Sequence, residues 1–168
     1  CQHCDEPPCL DVCPTTATKK RADGIVTIDY DICIGCAYCA VACPYQARYK
    51  TERATFAYGR ASEHEQARFD ADRLAVATKC TFCVDRVDAG LAKGQTPGVD
   101  PEATPACANA CIAEALVFGD VDDPNSNVSK LLAENQHFRL HEELGTGPRM
   151  YYLWDRAEDG DAVEEVAR

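Results

Sequence analysis

Large apolar side chains are scarce in this sequence. Leu, Ile, Val and Phe supply 31 of the 168 residues, and Met and Trp occur once each. Positive charge is scarce too: 17 Lys and Arg face 28 Asp and Glu, for a net charge of −11. That balance excludes the cationic footprint of a nucleic-acid-binding protein. No apolar run approaches the ~18 residues that a membrane span requires. Ser and His are sparse, and no pair of them makes a nucleophile and its base. There is neither a signal peptide nor an initiator Met. Cys1 already lies inside a motif, so the chain is expected to be a piece lacking its natural N-terminus. Few large apolar residues with a high net charge is the composition of a disordered chain. The 12 cysteines contradict that reading.

The cysteines fall into three groups of four: Cys1, Cys4, Cys9, Cys13; Cys33, Cys36, Cys39, Cys43; and Cys80, Cys83, Cys107, Cys111. The middle group, closed by Pro44, matches the bacterial ferredoxin run C-x2-C-x2-C-x3-C-P at every position. The first group is the same with two extra residues before its third cysteine. The last keeps the opening C-x2-C and the closing C-x3-C but separates them by 23 residues. A cysteine at every third residue lets one loop wrap three thiolates around three corners of a cubane cluster. Gly35 inside the middle loop allows backbone to approach the cluster, so that N–H groups can point at its sulfurs. The fourth cysteine lies one turn further along a short helix and points away; in two-cluster ferredoxins it ligates the other cluster.

An internal repeat runs through the groups. Cys9-x3-Cys13-Pro14-x2-Ala17, Cys39-x3-Cys43-Pro44-x2-Ala47 and Cys107-x3-Cys111-Ile112-x2-Ala115 are copies of one unit, the third departing at Ile112. Two other uses of cysteine compete with this. A disulfide framework is disfavoured because C-x2-C-x2-C triplets crowd the thiols too closely for separate bridges. Zinc is the better rival, because C-x2-C pairs are zinc knuckles, but zinc sites use pairs of pairs, not triplets closed by C-x3-C-P. His3 is an alternative ligand, although four thiolates are already available.

The expected fold class is α+β, with tandem bacterial-ferredoxin-like cluster-binding modules of short strands, short helices and long loops. Residues 1–119 form the cluster-binding region: a two-cluster module over 1–50, a connector over 51–79 and the third cysteine group over 80–119. Thr18 to Gly24 reads as a strand entering a turn and Ile25–Ile28 as its partner strand; Ala47–Lys50 is an extended exit. Ser62 to Ala77 has helical character, and Val84 to Leu91 reads as a helix ending at Gly90 or Gly94. Gln95 to Pro105 is a Pro/Gly-rich surface loop, and Leu116–Phe118 is a strand. Residues 120–154 are a cap, with a helix that begins at Asp123-Pro124-Asn125-Ser126 and runs through Val128, Leu131 and Leu132, then a strand-like segment from Arg149 to Trp154. Residues 155–168 are an acidic tail expected to be disordered.

Cys1-Gln-His-Cys4, Pro7-Pro8-Cys9, Val12-Cys13-Pro14-Thr15, Cys33-Ile-Gly-Cys36-Ala-Tyr38-Cys39, Ala42-Cys43-Pro44-Tyr45 and Lys79-Cys80-Thr81-Phe82-Cys83 with Arg86 carry a specific likeness. Together they resemble the iron–sulfur (beta) subunit of the dimethyl sulfoxide reductase family of molybdopterin oxidoreductases. Glu143 to Pro148 with Tyr151–Leu153 is similar to that family's C-terminal cap. The resemblance implies four cysteine groups and four [4Fe–4S] clusters, the first group being missing ahead of Cys1. It implies that Cys1, Cys4 and Cys9 share a cluster with Cys43, and that Cys33, Cys36 and Cys39 share one with Cys13. Cys80, Cys83 and Cys107 would hold a third, incomplete cluster, and Cys111 would reach a fourth that is mostly absent; the alternative is that Cys80, Cys83, Cys107 and Cys111 close on one cluster, which a C-x3-C turn that aims its two thiolates apart disfavours. The stretch Pro97 to Ala113 is most similar to subunits of membrane-bound sulfite-oxidising or phenylacetyl-coenzyme A oxidising complexes.

The implied role is relay of single electrons, without a substrate site, between a molybdopterin catalytic subunit and a quinone-reactive membrane subunit. The chain would then be a peripheral subunit, on the cytoplasmic face by this likeness, with the periplasmic face as the alternative. Lys79 and Arg86 flank the third group, where they either favour the reduced cluster or pair with Asp85, Asp88 or a neighbouring subunit. Tyr38, Tyr45 and Phe82 are expected to pack around clusters. A stand-alone polyferredoxin-type carrier and a zinc-binding interaction module are the competing classes.

Overall fold

The computed structural model describes residues 1–154; the tail at 155–168 lies outside them. The chain groups into two units, Cys1–Val84 with His141–Met150, and Asp85–Leu140 with the segment from Tyr151. The division falls between Val84 and Asp85 and joins His141–Met150 to the first unit. Every regular element is short, as the crowding of Cys, Pro and Gly predicts. No helix among the described residues is long and apolar enough to cross a membrane.

In the first unit, α1 (Pro8–Asp11) opens on a proline in its first turn, where a missing N–H costs nothing. A two-stranded antiparallel hairpin follows, β1 (Thr18–Lys20) with β2 (Val26–Ile28), in the register Thr18 to Ile28 and Lys20 to Val26. Its turn closes through the Arg21 carbonyl, which accepts from Gly24 N–H, and through Arg21 N–H, which donates to Ile25. The alternation of β2 buries Val26 and Ile28. Next, α2 (Tyr38–Ala42) stops at Cys43, because Pro44 forces the residue before it into an extended conformation. Strands β3 (Tyr49–Lys50) and β4 (Ala77–Thr78) pair antiparallel. The core joins Cys9, Ala17, Ile28, Cys39 and Ala77, with Cys13, Tyr30 and Cys33 packed against it.

Ser62 to Ala77 does not form one helix. Only α3 (Glu63–Arg68) is helical, with a Ser62–Glu65 capping box, followed by a 3-10 turn at Ala71–Arg73. None of the residues in these two elements is buried, so no apolar face is present to prolong them.

The second unit starts with α4 (Val84–Leu91), whose first residue sits at the division and whose span matches the sequence reading. Gly90 lies within α4, not after it. A Cβ at Gly90 would come within 2.3 Å of the Ala103 Cβ, so glycine is required by packing and not by helix termination. The stretch 95–105 is therefore more than a surface excursion. Ala103 and Thr104 are buried, and Arg86 donates from Nε to the Thr104 carbonyl at 3.0 Å and from Nη2 to Pro101 at 2.7 Å. Arg86 pins this loop instead of pairing with Asp85 or Asp88. After α5 (Ala106–Asn109), Leu116–Phe118 pairs with no strand; the Phe118 carbonyl instead lies against Gly98, whose positive φ and missing Cβ make room for it. The Ser126 hydroxyl caps α6 (Asn127–Glu134), and β5 (His137–Phe138) pairs with β6 (Tyr152–Leu153).

Candidate metal centre

The three cysteine groups share two backbone devices. In each opening C-x2-C the residue before the second cysteine is left-handed: His3 at φ 44°, Gly35 at 64° and Phe82 at 54°. After each closing cysteine the third residue is left-handed as well: Thr16 at 56°, Gln46 at 50° and Glu114 at 51°. Its N–H donates back to the cysteine carbonyl, Thr16 to Cys13, Gln46 to Cys43 and Glu114 to Cys111. This turn curls successive N–H groups around the sulfur. Burial works to raise the Cys13 pKa, but N–H groups of Thr18, Thr15 and Ala17 with the Thr15 hydroxyl outweigh it and lower it. Cys111 is lowered by the N–H groups of Leu116 and Ala115 against burial, helped by Ala113 and Glu114. Ile112 in place of proline leaves the turn intact. Oriented N–H dipoles of this kind stabilise anionic sulfur and tune a bound cluster.

Cys13, Cys33, Cys36 and Cys39 line one cavity with Thr15, Ala17, Thr18, Ile28, Gly35 and Ala77; it encloses about 310 Å3 of non-atom space, part of it open to solvent. The closing cysteine of the first group thus meets the opening triplet of the second. Four thiols facing one cavity, with N–H groups turned to one of them, are a donor set suited to a polynuclear cluster. Among the described residues no three His, Cys, Asp or Glu side chains converge on a single ion. Gly35 is glycine because the Ala75 carbonyl oxygen would lie 1.8 Å from a Cβ there. The backbone it admits is that of Ala75, and Lys50 Nζ donates to the Gly35 carbonyl at 3.0 Å.

The thiols of Cys4 and Cys9 both respond to Cys43. Burial pushes the Cys4 thiol up and Cys43 adds to it, against the Thr146 hydroxyl. Burial also pushes up Cys9, opposed by the Arg48 guanidinium and reinforced by Cys43 and Cys4. Cys4, Cys9 and Cys43 therefore lie close enough to feel one another's charge. The segment 145–149 straps this loop: Asp5 N–H donates to Gly147 at 2.8 Å, Glu6 N–H to Thr146 at 3.0 Å and Arg149 N–H to Gln2 at 2.8 Å. Tyr45 and Thr146 share a hydroxyl hydrogen bond of 2.6 Å, and Arg149 pairs with Asp5 at 2.7 Å.

His3 is fully buried, and its Nδ1 accepts from Val26 N–H at 3.0 Å. Burial, then the nearby Lys79 charge, lowers its pKa to about 3, so the ring is neutral. With Nδ1 taken by Val26 and its ring stacked on Phe82, it packs as a structural spacer. Lys79 is buried as well and donates to the carbonyls of Val26 and Cys80. Of the three aromatics expected near clusters, Phe82 stacks on His3 and Tyr45 holds Thr146, but Tyr38 is 62% exposed. Arg48 and Thr146 were not singled out from the sequence. Neither carries a motif of its own, and only their burial marks them.

Cys80 and Cys83 lie in the first unit, and Cys107 and Cys111 in the second. Among the described residues no disulfide joins the cysteines.

Residues 1–60 match the 4Fe-4S dicluster domain family. The chain is 44% identical over 156 residues to the Hdr-like menaquinol oxidoreductase iron-sulfur subunit 1 of Archaeoglobus fulgidus, covering 90% of this chain and 54% of that one. It is 44% identical over 161 residues to a putative dimethyl sulfoxide reductase iron-sulfur subunit of Halobacterium salinarum (91% of this chain, 53% of that one). With a sulfite dehydrogenase subunit of Allochromatium vinosum the identity is 43% over 155 residues (91% and 53%). The chain spans about half the length of each of these relatives. The likeness carried by the cysteine motifs is thereby borne out. The chain is similar to iron–sulfur subunits of reductases and dehydrogenases, and its first 60 residues carry a ferredoxin-like dicluster domain of small helices and short strands.

Proposed function

We propose that this chain is the electron-relay subunit of an oxidoreductase complex, with tandem cluster-binding modules joined by long loops. Cys1, Cys4, Cys9 and Cys43 ligate one [4Fe–4S] cluster, and Cys13, Cys33, Cys36 and Cys39 a second. On the resemblance alone, Cys80, Cys83 and Cys107 contribute to a third and Cys111 to a fourth. The observation that carries the reading is the crossing of the two groups: Cys13 lines the cavity of Cys33, Cys36 and Cys39, while Cys43 couples to Cys4 and Cys9. Such a crossing sets two clusters side by side, as relay requires. The clusters, when bound, supply one-electron chemistry; the protein positions them and adjusts their potentials through charge, hydrogen bonds to sulfur and burial.

We further propose that the partners are a molybdopterin catalytic subunit and a quinone-reactive membrane subunit, with the chain peripheral on the cytoplasmic face. The names of the relatives support this, with reductase or dehydrogenase subunits on one side and a menaquinol oxidoreductase on the other. Anaerobic reconstitution followed by iron and sulfide analysis tests the core of the reading. Cys13→Ser should perturb the electron paramagnetic resonance signal of one cluster and Cys43→Ser that of the other. Zinc without iron or sulfide would overturn the relay.

A further inference from the structure

The residue before the second cysteine of each opening C-x2-C is left-handed, yet only the middle group uses glycine there. His3 and Phe82 carry rings at positive φ, a strained backbone that persists where the surroundings hold the side chain in place. The two rings meet. Their centroids are 3.7 Å apart, which is van der Waals contact between carbon atoms, and their planes are 16° from parallel. One residue of the hairpin locks both loops. Val26 N–H donates to His3 Nδ1 at 3.0 Å, and the Val26 carbonyl accepts from Lys79 Nζ, which also reaches the Cys80 carbonyl at 2.9 Å. His3 and Val26 are 0% and 1% exposed, so this joint lies in the interior of the first unit. Phe82 N–H donates to the Cys80 sulfur at 3.5 Å. His3 is bonded in the chain to Cys4, and Phe82 to Cys83. The stack is therefore a ring-to-ring contact between a cysteine of the first group and a cysteine of the third. In the middle group the same position is Gly35, with the Ala75 carbonyl against it.

We propose that the His3–Phe82 stack is the bridge for electron exchange between the cluster held by Cys1, Cys4, Cys9 and Cys43 and the cluster to which Cys80 and Cys83 contribute. This rests on the ligand sets proposed above, and on the third of them in particular. One electron leaves the reduced cluster and one enters its oxidised neighbour; neither ring is itself oxidised or reduced. The rings act by filling the space between the two ligand loops. Tunnelling decays more steeply across an empty gap than through bonded atoms and rings in contact, so a filled joint speeds exchange at a given separation. The hydrogen bonds to Val26 hold the loops, and the rings supply the contact between them. His3 and Phe82 are positioning residues in this scheme; neither ligates.

The test uses the full chain, reconstituted anaerobically with iron, sulfide and excess thiol, which can complete a site that is short of one cysteine. Cys43→Ser and Cys83→Ser assign the electron paramagnetic resonance signals of the two clusters. A flash-reduced flavin delivers less than one electron per chain, and freeze-quenched spectra follow its redistribution between them. Phe82→Leu keeps the bulk and removes the ring. His3→Asn removes the ring and keeps an acceptor for Val26 N–H. Each should slow the exchange tenfold or more, while both clusters load fully and keep their potentials. Phe82→Tyr, which keeps the ring, should exchange within threefold of the parent. If only one of the two ring-less variants loads fully, its exchange rate decides. Exchange as fast as in the parent, in a ring-less variant that loads fully, overturns the bridge and leaves the ligand sets standing. Loss of a cluster from both ring-less variants makes the stack a structural tie and overturns the bridge as well. A Cys83→Ser variant that loses no signal overturns the third ligand set, and the bridge with it.

Discussion

His3 and Phe82 stack face to face, with ring centroids 3.7 Å apart and planes 16° from parallel. They hold the same place in two cysteine groups, the residue before the second cysteine, and both are left-handed. The stack therefore ties the opening loop of the first group to that of the third. A pair of this geometry contributes about 0.5–1.5 kcal/mol beyond its area burial. His3→Ala and Phe82→Ala should each lower the denaturation midpoint of the cluster-loaded protein. The double variant should fall short of their sum by roughly that coupling. Additive losses in a double-mutant cycle would mean that backbone bonds alone hold the two loops.

Gly35 and Gly59 separate two reasons for glycine. Both have positive φ, 64° and 73°, so an alanine at either carries a backbone penalty of about 1–2 kcal/mol. Only Gly35 also faces an obstacle, the Ala75 carbonyl; nothing lies within 4 Å of a Cβ at Gly59. Gly35→Ala should therefore displace the Cys33–Cys36 loop and cost one cluster of the two-cluster module, read as lost iron and sulfide. Gly59→Ala should retain full loading. Equal loading of the two variants would show that Ala75 does not press on the loop.

How much could be read from the residues alone depended on range. Cysteine spacing is a local code, so the dicluster character was legible. So were the hairpin around Gly24, the span Val84–Leu91 and a helix after Asp123–Pro124, each written in contiguous residues. Arg48 was not legible, because a charged residue in a short extended segment reads as solvated until its burial is known. The left-handed His3 and Phe82 were hidden for a related reason: bulky side chains seldom adopt positive φ, and nothing local announces the exception. Gly90 read as a helix end because its partner, Ala103, is a tertiary neighbour. Leu116–Phe118 had strand composition but no strand to pair with, and composition does not supply a partner.

Gly90 also gives a substitution whose sign propensity alone gets wrong. Inside a helix, Gly→Ala is normally favourable by about 1 kcal/mol. Here the new methyl would meet the Ala103 Cβ at 2.3 Å and its Cα at 2.6 Å. Overpacking of that kind costs about 1–3 kcal/mol, so it wins. Gly90→Ala should lower the midpoint of urea unfolding of the cluster-loaded protein. A variant as stable as the parent would show that α4 is not seated on Ala103 in solution.

Removing the clusters should unfold most of the first unit. Its core is built from Cys9, Ala17, Ile28, Cys39 and Ala77, with Cys13 and Cys33 packed against it, so proposed ligands stand where other proteins place leucine. The largest fully buried side chains are His3, Val26 and Pro148, and the first brings an unpartnered Nε2 with it. Without a cluster the thiol-lined cavity has nothing to fill it. Cluster binding free energy is then part of folding free energy, as at other structural metal sites. Acid and chelator treatment followed by return to neutral pH should abolish the cooperative urea transition and most of the far-ultraviolet dichroism. Iron and sulfide under reducing conditions should restore both. An apo form with a cooperative transition close to that of the loaded protein would mean that the small apolar core suffices, and that the clusters are guests in a structure already formed.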